Sequence, residues 1–175
     1  MRPDKKIKIR LEIESDYPAI RELVKKAFSS AAYTDGDEHN LIDRIRNSEE
    51  YIPELSLVAV SDEKPVGYIM FTRILIGGRE AVALAPLAVD TEMQNIGIGK
   101  LLIEAGHTIA RHLEFPCSVV LGDPGFYSKS GYLRASDYNI TPPFDISDEY
   151  YMLCPFCDIS LLPKGVVKYS DAFRL

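Results

Sequence analysis

Between residues 82 and 113 the chain reads as an apolar strand, a turn carrying two glycines, and an amphipathic helix. The strand is Val82-Ala-Leu-Ala-Pro-Leu-Ala-Val89, the turn is Gln94-Asn95-Ile96-Gly97-Ile98-Gly99, and the helical segment runs from Lys100 to Leu113. A helix start leaves backbone N–H groups unpaired, and its dipole favours an anion there. Glycine lets that anion approach the backbone with no side chain in the way. The stretch therefore predicts a site for a phosphorylated ligand on an α/β scaffold.

Two familiar phosphate motifs do not fit. A dinucleotide fingerprint needs glycine where Leu102 stands. A nucleoside-triphosphate loop needs glycine at Gln94 and Ser or Thr at Leu101, so Lys100 is not its lysine. What remains is Gln-x-x-Gly-x-Gly at a helix start.

Pro86 lies inside the apolar run that precedes the turn. Proline cannot donate to a sheet ladder, so a central strand tolerates it where a bulge interrupts pairing. Two parallel strands that separate at a bulge leave a slot with free backbone groups. The next strand, Cys117-Ser-Val-Val-Leu-Gly122, is apolar enough to be covered on both faces. After it comes Asp123-Pro-Gly-Phe126-Tyr127-Ser-Lys-Ser-Gly131-Tyr132, in which Gly131 fits a left-handed helix cap.

The remaining segments give a mixed α/β order. Lys6 to Glu14 alternates as a strand with one buried face, and Ser15 or Asp16 can cap a helix from about Pro18. Ile20, Leu23, Val24, Ala27 and Phe28 share one face of that helix, and a loop spans Ser29 to Asp37. Leu41, Ile42 and Ile45 form the stripe of a second helix. Leu55–Ser61 and Val66–Ile76 are strands joined by a hairpin turn, and Val166–Tyr169 is a last strand. Ile98, Leu101, Leu102, Ala105 and Ile109 mark the buried face of the helix after the glycine turn.

Composition narrows the classes. The 175 residues suit a single domain, residues 1–175, and 46% hydrophobic residues supply its core without metal or disulfide staples. A net charge of −6 argues against a nucleic-acid partner and is compatible with a cationic one. No run approaches a membrane span, and the first residues, Met1 to Lys6, do not read as a signal peptide. Three cysteines without framework spacing suit a reducing compartment, so a cytoplasmic location is expected. Cys154-Pro-Phe-Cys157 has no second ligand pair and no helix after it, and no metal site is expected.

Together these motifs resemble the GCN5-related N-acetyltransferases over nearly the whole chain, most strongly from Val82 to Tyr132. Within that superfamily the segments 84–89, 121–124 and 165–169 look most like a small bacterial YhbS-like group. The resemblance implies an α/β fold whose mostly antiparallel sheet splays at one parallel strand pair. It implies acetyl-CoA as cosubstrate. The turn residues Gln94, Asn95, Ile96, Gly97, Ile98, Gly99 and Lys100 would hold its pyrophosphate, and Leu87, Ala88 and Val89 would pair with its pantetheine. Phe126 would border the coenzyme, and Tyr127 would protonate the departing thiolate, as a phenol of pKa about 10 can. A backbone N–H near Leu87 would stabilise the thioester oxyanion.

Asn95 and Ile96 depart from the family pattern, which has glycine and a basic or polar residue there. Asp123 is a candidate for proton removal through water and equally for a helix cap. The resemblance puts Glu38 and His39 beside the acceptor pocket, with plain surface exposure as the other reading, and the acidic cluster Asp35, Asp37 and Glu38 is either an attraction for a cationic acceptor or a solvated loop. The reaction implied is acetyl transfer to an amine of a small molecule or peptide. A non-catalytic acetyl-CoA sensor or interaction module of the same fold is the alternative, and monomer and homodimer both stay open.

Overall fold

The computed structural model describes residues 6–31 and 34–175; the leader reading at Met1 to Lys5 and part of the 29–37 loop lie outside the described residues. The order is β1 (Lys8–Leu11), α1 (Tyr17–Phe28), α2 (Glu38–Arg46), β2 (Tyr51–Ser61), β3 (Lys64–Ile76) and β4 (Arg79–Val89). There follow α3 (Ile98–His112), β5 (Cys117–Leu121), α4 (Pro124–Tyr127), β6 (Leu133–Arg134), β7 (Ile140–Thr141), β8 (Tyr151–Pro155) and β9 (Gly165–Lys168). The main sheet runs β1-β2-β3-β4-β5-β8-β6, antiparallel throughout except β4 with β5. β9 pairs with the end of β3 and makes a two-residue parallel pairing with β7.

Strands β2 to β4 are apolar on both faces because both faces are covered. Successive side chains of a strand point to opposite sides. Leu57, Ala59, Ile69 and Phe71 pack with Ile98, Leu102 and Ile103 of α3. The alternate residues Val58, Val60, Tyr68, Met70 and Ala88 pack with Ile20, Val24, Ile42 and Ile45 of α1 and α2. Each such large side chain, fully buried, contributes about 1.5–3 kcal/mol relative to an exposed one. The helical cover is tied by Arg46 and Glu12, paired at 2.5 Å with both side chains almost wholly buried. The Tyr51 hydroxyl donates to the same carboxylate at 2.8 Å, and the Arg46 guanidinium lies 3.7 Å from the Tyr17 ring centre.

Several expectations shift. β1 is shorter than Lys6–Glu14: the Asp16 carboxylate accepts from the Ile13 N–H and from Arg10, which turns the chain after Leu11. Asp16 is thereby spent and makes no side-chain cap on α1, which begins at Tyr17. β2 starts four residues earlier than Leu55, with Pro53 accommodated where the β2–β3 register slips. The last strand ends at Lys168, one residue short.

The buried face of α3 also differs. It comprises Ile98, Leu102, Ile103, Gly106, His107 and Ala110, whereas Leu101 is exposed. Apolarity alone misplaces the stripe because a glycine and a histidine occupy its centre. A Cβ on Gly106 would lie 2.2 Å from the Phe71 ring, so glycine is what brings α3 down onto the sheet.

The proline in β4 does what its position suggests. Ile69 pairs with Leu87 and Phe71 with Leu84, so β4 carries one extra residue around Ala85–Pro86. β4 and β5 pair only at Val82–Ser118 and Ala83–Val119. β5 continues with β8 as far as Leu121–Tyr151, while β4 beyond Ala83 leaves it. The parallel pair is therefore splayed.

Candidate functional site

The end of β4 borders the opening. Asp90 N–H donates to the Val66 carbonyl at 2.9 Å, and Gly67 faces Val89. In an antiparallel ladder, hydrogen-bonded and non-bonded pairs alternate. Asp90–Val66 and Ala88–Tyr68 are thus bonded pairs, and Leu87 and Val89 turn their N–H and C=O groups away from β3. The register separates the three residues that the motif groups together. Ala88 gives its backbone to the sheet, whereas Leu87 and Val89 present theirs to the slot. The Val89 carbonyl accepts from Gln94 Nε2 at 3.2 Å, which leaves both groups of Leu87 and the N–H of Val89 open.

The turn then delivers donors. Asn95 and Gly97 take left-handed backbone, at φ 62° and 93°, and Gly97 caps α3. Leu101 is the first helical residue to bond back, its N–H donating to the Gly97 carbonyl at 3.0 Å. Among the described residues, no N–H from Asn95 to Lys100 donates within the chain. This is a concave run of unpaired donors at the positive end of a 15-residue helix. Ile96 projects into solvent, and Lys100 leans on Glu104 at 3.7 Å.

Short helix α4 closes the third side. The Asp123 carboxylate accepts from the Gly125 N–H at 3.0 Å, and Pro124 starts the helix. A Cβ on Gly99 would stand 3.3 Å from Phe126 Cζ and 3.8 Å from both Leu87 Cδ2 and Val89 Cγ2. Cradle, splayed strand and α4 therefore meet at one point. The Tyr127 ring packs edge-on against Phe126 at 4.9 Å and Tyr132 at 5.5 Å between centroids. Its other side rests on Gly122, where a Cβ would come within 2.2 Å of the ring. Burial raises the Tyr127 phenol well above its ordinary value, so it is protonated at neutral pH. Its hydroxyl makes no hydrogen bond among the described residues. Gly131 follows in left-handed backbone at φ 87°, as its cap position requires.

The acidic residues before α2 are used locally. Asp37 pairs with Arg44 at 2.6 Å, which holds its carboxyl below the usual range, and Asn40 donates to it as well. Glu38 accepts from the Thr34 hydroxyl, and Asp35 accepts from the Asp37 N–H. A cavity of about 580 Å³ lies elsewhere, beside Asp43, Glu49, Glu50 and Asp171. Its one arginine, Arg44, is occupied by Asp37 and the Ala172 carbonyl.

The cysteines are free, with Cys117 and Cys154 buried, and among the described residues no group of three metal-binding side chains gathers. No helix of the described residues is long and apolar enough to cross a membrane.

One polar group had no signature in the motifs. Tyr132, 1% exposed, has its hydroxyl 3.0 Å from His107 Nε2 and 2.9 Å from Ser118 Oγ. His107 Nδ1 lies 3.9 Å from Cys154 Sγ. A histidine in the centre of an otherwise apolar helical face was the available signal.

Residues 17–132 match the family model described as Acetyltransferase (GNAT) family. YhbS of Escherichia coli strain K12, named an uncharacterized N-acetyltransferase, is 30% identical over 170 residues, covering 95% of this chain and 98% of the relative. YjhQ of the same organism, named likewise, is 33% identical over 142 residues, 78% of this chain and 76% of that one. The crystal structure of E. coli YhbS in complex with CoA superposes with a TM-score of 0.89 at 27% identity, over 100% of this chain and 96% of that one. A GNAT family acetyltransferase from Brucella melitensis in complex with acetyl-CoA gives 0.81 at 31% identity, over 97% and 99%.

Proposed function

The chain belongs to the acetyltransferase (GNAT) family, and from that premise we propose that it moves acetyl from acetyl-CoA directly to a primary amine. One observation carries the reading. The unpaired N–H groups of Asn95 to Lys100, the open N–H and C=O of Leu87 with the open N–H of Val89, and the Phe126–Tyr127 helix converge around Gly99. The Brucella relative is bound to acetyl-CoA and YhbS to CoA, and acetyl-CoA is the cosubstrate that this convergence suits.

In this reading the turn N–H groups take the pyrophosphate, with Ile96 contributing no charge. The cradle relies on backbone donors alone. Leu87 and Val89 pair with the amide-bearing arm of the coenzyme, and the Leu87 N–H faces the oxygen on which charge develops. Tyr127 gives its phenolic proton to the departing thiolate. The incoming amine must first lose a proton. Asp123 keeps one carboxylate oxygen clear of the Gly125 N–H, and that oxygen accepts it through water. Holding thioester and amine together supplies the larger part of the acceleration.

The test is thiol release from acetyl-CoA with four primary amines: a polyamine, an aminoglycoside, an amino-acid ester and a short peptide. Tyr127→Phe should lower kcat about 100-fold with the KM for acetyl-CoA unchanged. An unaltered kcat would remove Tyr127 from the acid role. Tight coenzyme binding with no turnover of any amine favours a sensor of the same fold.

A further inference from the structure

We infer that Tyr132, its hydroxyl bridged between Ser118 and His107, is a positioning residue that fixes the ring of Tyr127 against the slot. The inference rests on reading Tyr127 as the proton donor. The three polar groups come from three places: Ser118 from β5, His107 from the sheet-facing side of α3, and Tyr132 from the segment after α4. Their separations in sequence are 14 and 25 residues.

Packing alone does not call for a hydroxyl here. Phenylalanine would make the same ring contacts with Tyr127 and His107, but it would leave the buried Ser118 hydroxyl and His107 Nε2 without the partner that the Tyr132 hydroxyl gives them. What two hydrogen bonds add is orientation. A ring anchored at its far end to a strand and to a helix cannot slide or tilt without breaking one of them. Tyr127 meets that ring at 78° between planes. Its opposite side meets Gly122, where there is no room for even a methyl group. The acid is thus clamped between a bare backbone and an anchored aromatic wall, and its own hydroxyl is left free. His107 is held neutral by burial, so it can accept from Tyr132 without placing a charge beside the site.

The experiment uses the full chain with ¹³Cε-labelled tyrosine. The Tyr127 resonance is identified by its loss in Tyr127→Phe. Tyr132→Phe removes the anchor, and Ser118→Ala removes one of its two partners while keeping the ring, which covers a failure of the first variant to fold. Both should shift or broaden the Tyr127 resonance while the dissociation constant for CoA stays the same. This arm needs no acceptor.

For the fastest of the four amines above, both should lower kcat about tenfold with KM for acetyl-CoA unchanged. In the Tyr127→Phe background Tyr132→Phe should cost nothing further. A Tyr127 resonance unmoved in both variants overturns the proposal, as does an equal loss of kcat in the Tyr127→Phe background. Full activity of Tyr127→Phe would sink the acid reading, and this proposal with it. A large effect of Tyr127→Phe beside a silent Tyr132→Phe and Ser118→Ala would sink this proposal alone.

Discussion

His107 is 4% exposed, and burial pulls its pKa from 6.5 down to about 4, with Arg111 acting in the same direction. The sign follows from linkage. The unfolded chain binds a proton at this residue below about 6.5, and the folded chain does so only below about 4. Between those values the unfolded state holds more protons, so stability falls as pH drops through this window. The loss reaches about 3 kcal/mol at its foot. Carboxylates held low, such as Asp16 by Arg10 and Ile13 N–H, add their losses at still lower pH. Urea melts at intervals from pH 7 to 4 should show the slope, and His107→Gln should flatten it.

At this scale the sequence told unevenly. Tyr127 and Gly131 were legible because a strand, a capped helix and a glycine fix their spacing. The Ser118–Tyr132–His107 link was not, because each member is a residue type with many uses and only the fold brings them together. Asp123 was legible as a helix cap, and its carboxylate does accept from the Gly125 N–H.

At the level of elements, Pro86 was the informative signal. It placed the bulge, and the bulge separates β4 from β5 one residue after Ala83 and Val119. Which residues of the splayed strand face the slot depends on the ladder phase, and that needs the β3 register. The stripe of α3 was misread for a related reason. Its closest approach to the sheet is set by Gly106, whose contribution is the absence of a side chain. Gly99 makes a prediction here. A Cβ at this position already stands 3.3 Å from Phe126 Cζ, so valine would press on Phe126, Leu87 and Val89 and screen the unpaired donors. Calorimetric titration of Gly99→Val with CoA should give binding weakened about 10- to 100-fold, or about 1.4–2.8 kcal/mol. Unchanged affinity would mean that the coenzyme does not approach α3 at this turn.

Across the whole molecule, the element order read from the sequence pointed to a mixed α/β class, and the motif resemblance named the fold within it. Alternation on β2 and β3 divides the core between α3 on one face and α1 with α2 on the other. The C-terminal half was least legible. β6 and β7 are two residues long and owe their pairing to neighbours distant in sequence, so no local periodicity marks them, whereas β9 was legible after its turn. Cations such as Arg44 and Lys26 are taken up by local pairs with Asp37 and Asp90, and the chain as a whole carries a net charge of −6. On the proposed function, with Ile96 uncharged and Lys100 beside Glu104, the coenzyme site would draw its attraction for phosphate from backbone donors more than from cationic side chains. That is the central claim, and a thermal melt with acetyl-CoA, CoA, ATP and NAD measures it most directly. Ligand at one hundred times its dissociation constant adds about 2.7 kcal/mol. For a chain of this size the melting temperature should rise by about 5–10 °C with acetyl-CoA and with CoA, and stay put with ATP and NAD. No rise with either coenzyme at millimolar concentration would contradict the account.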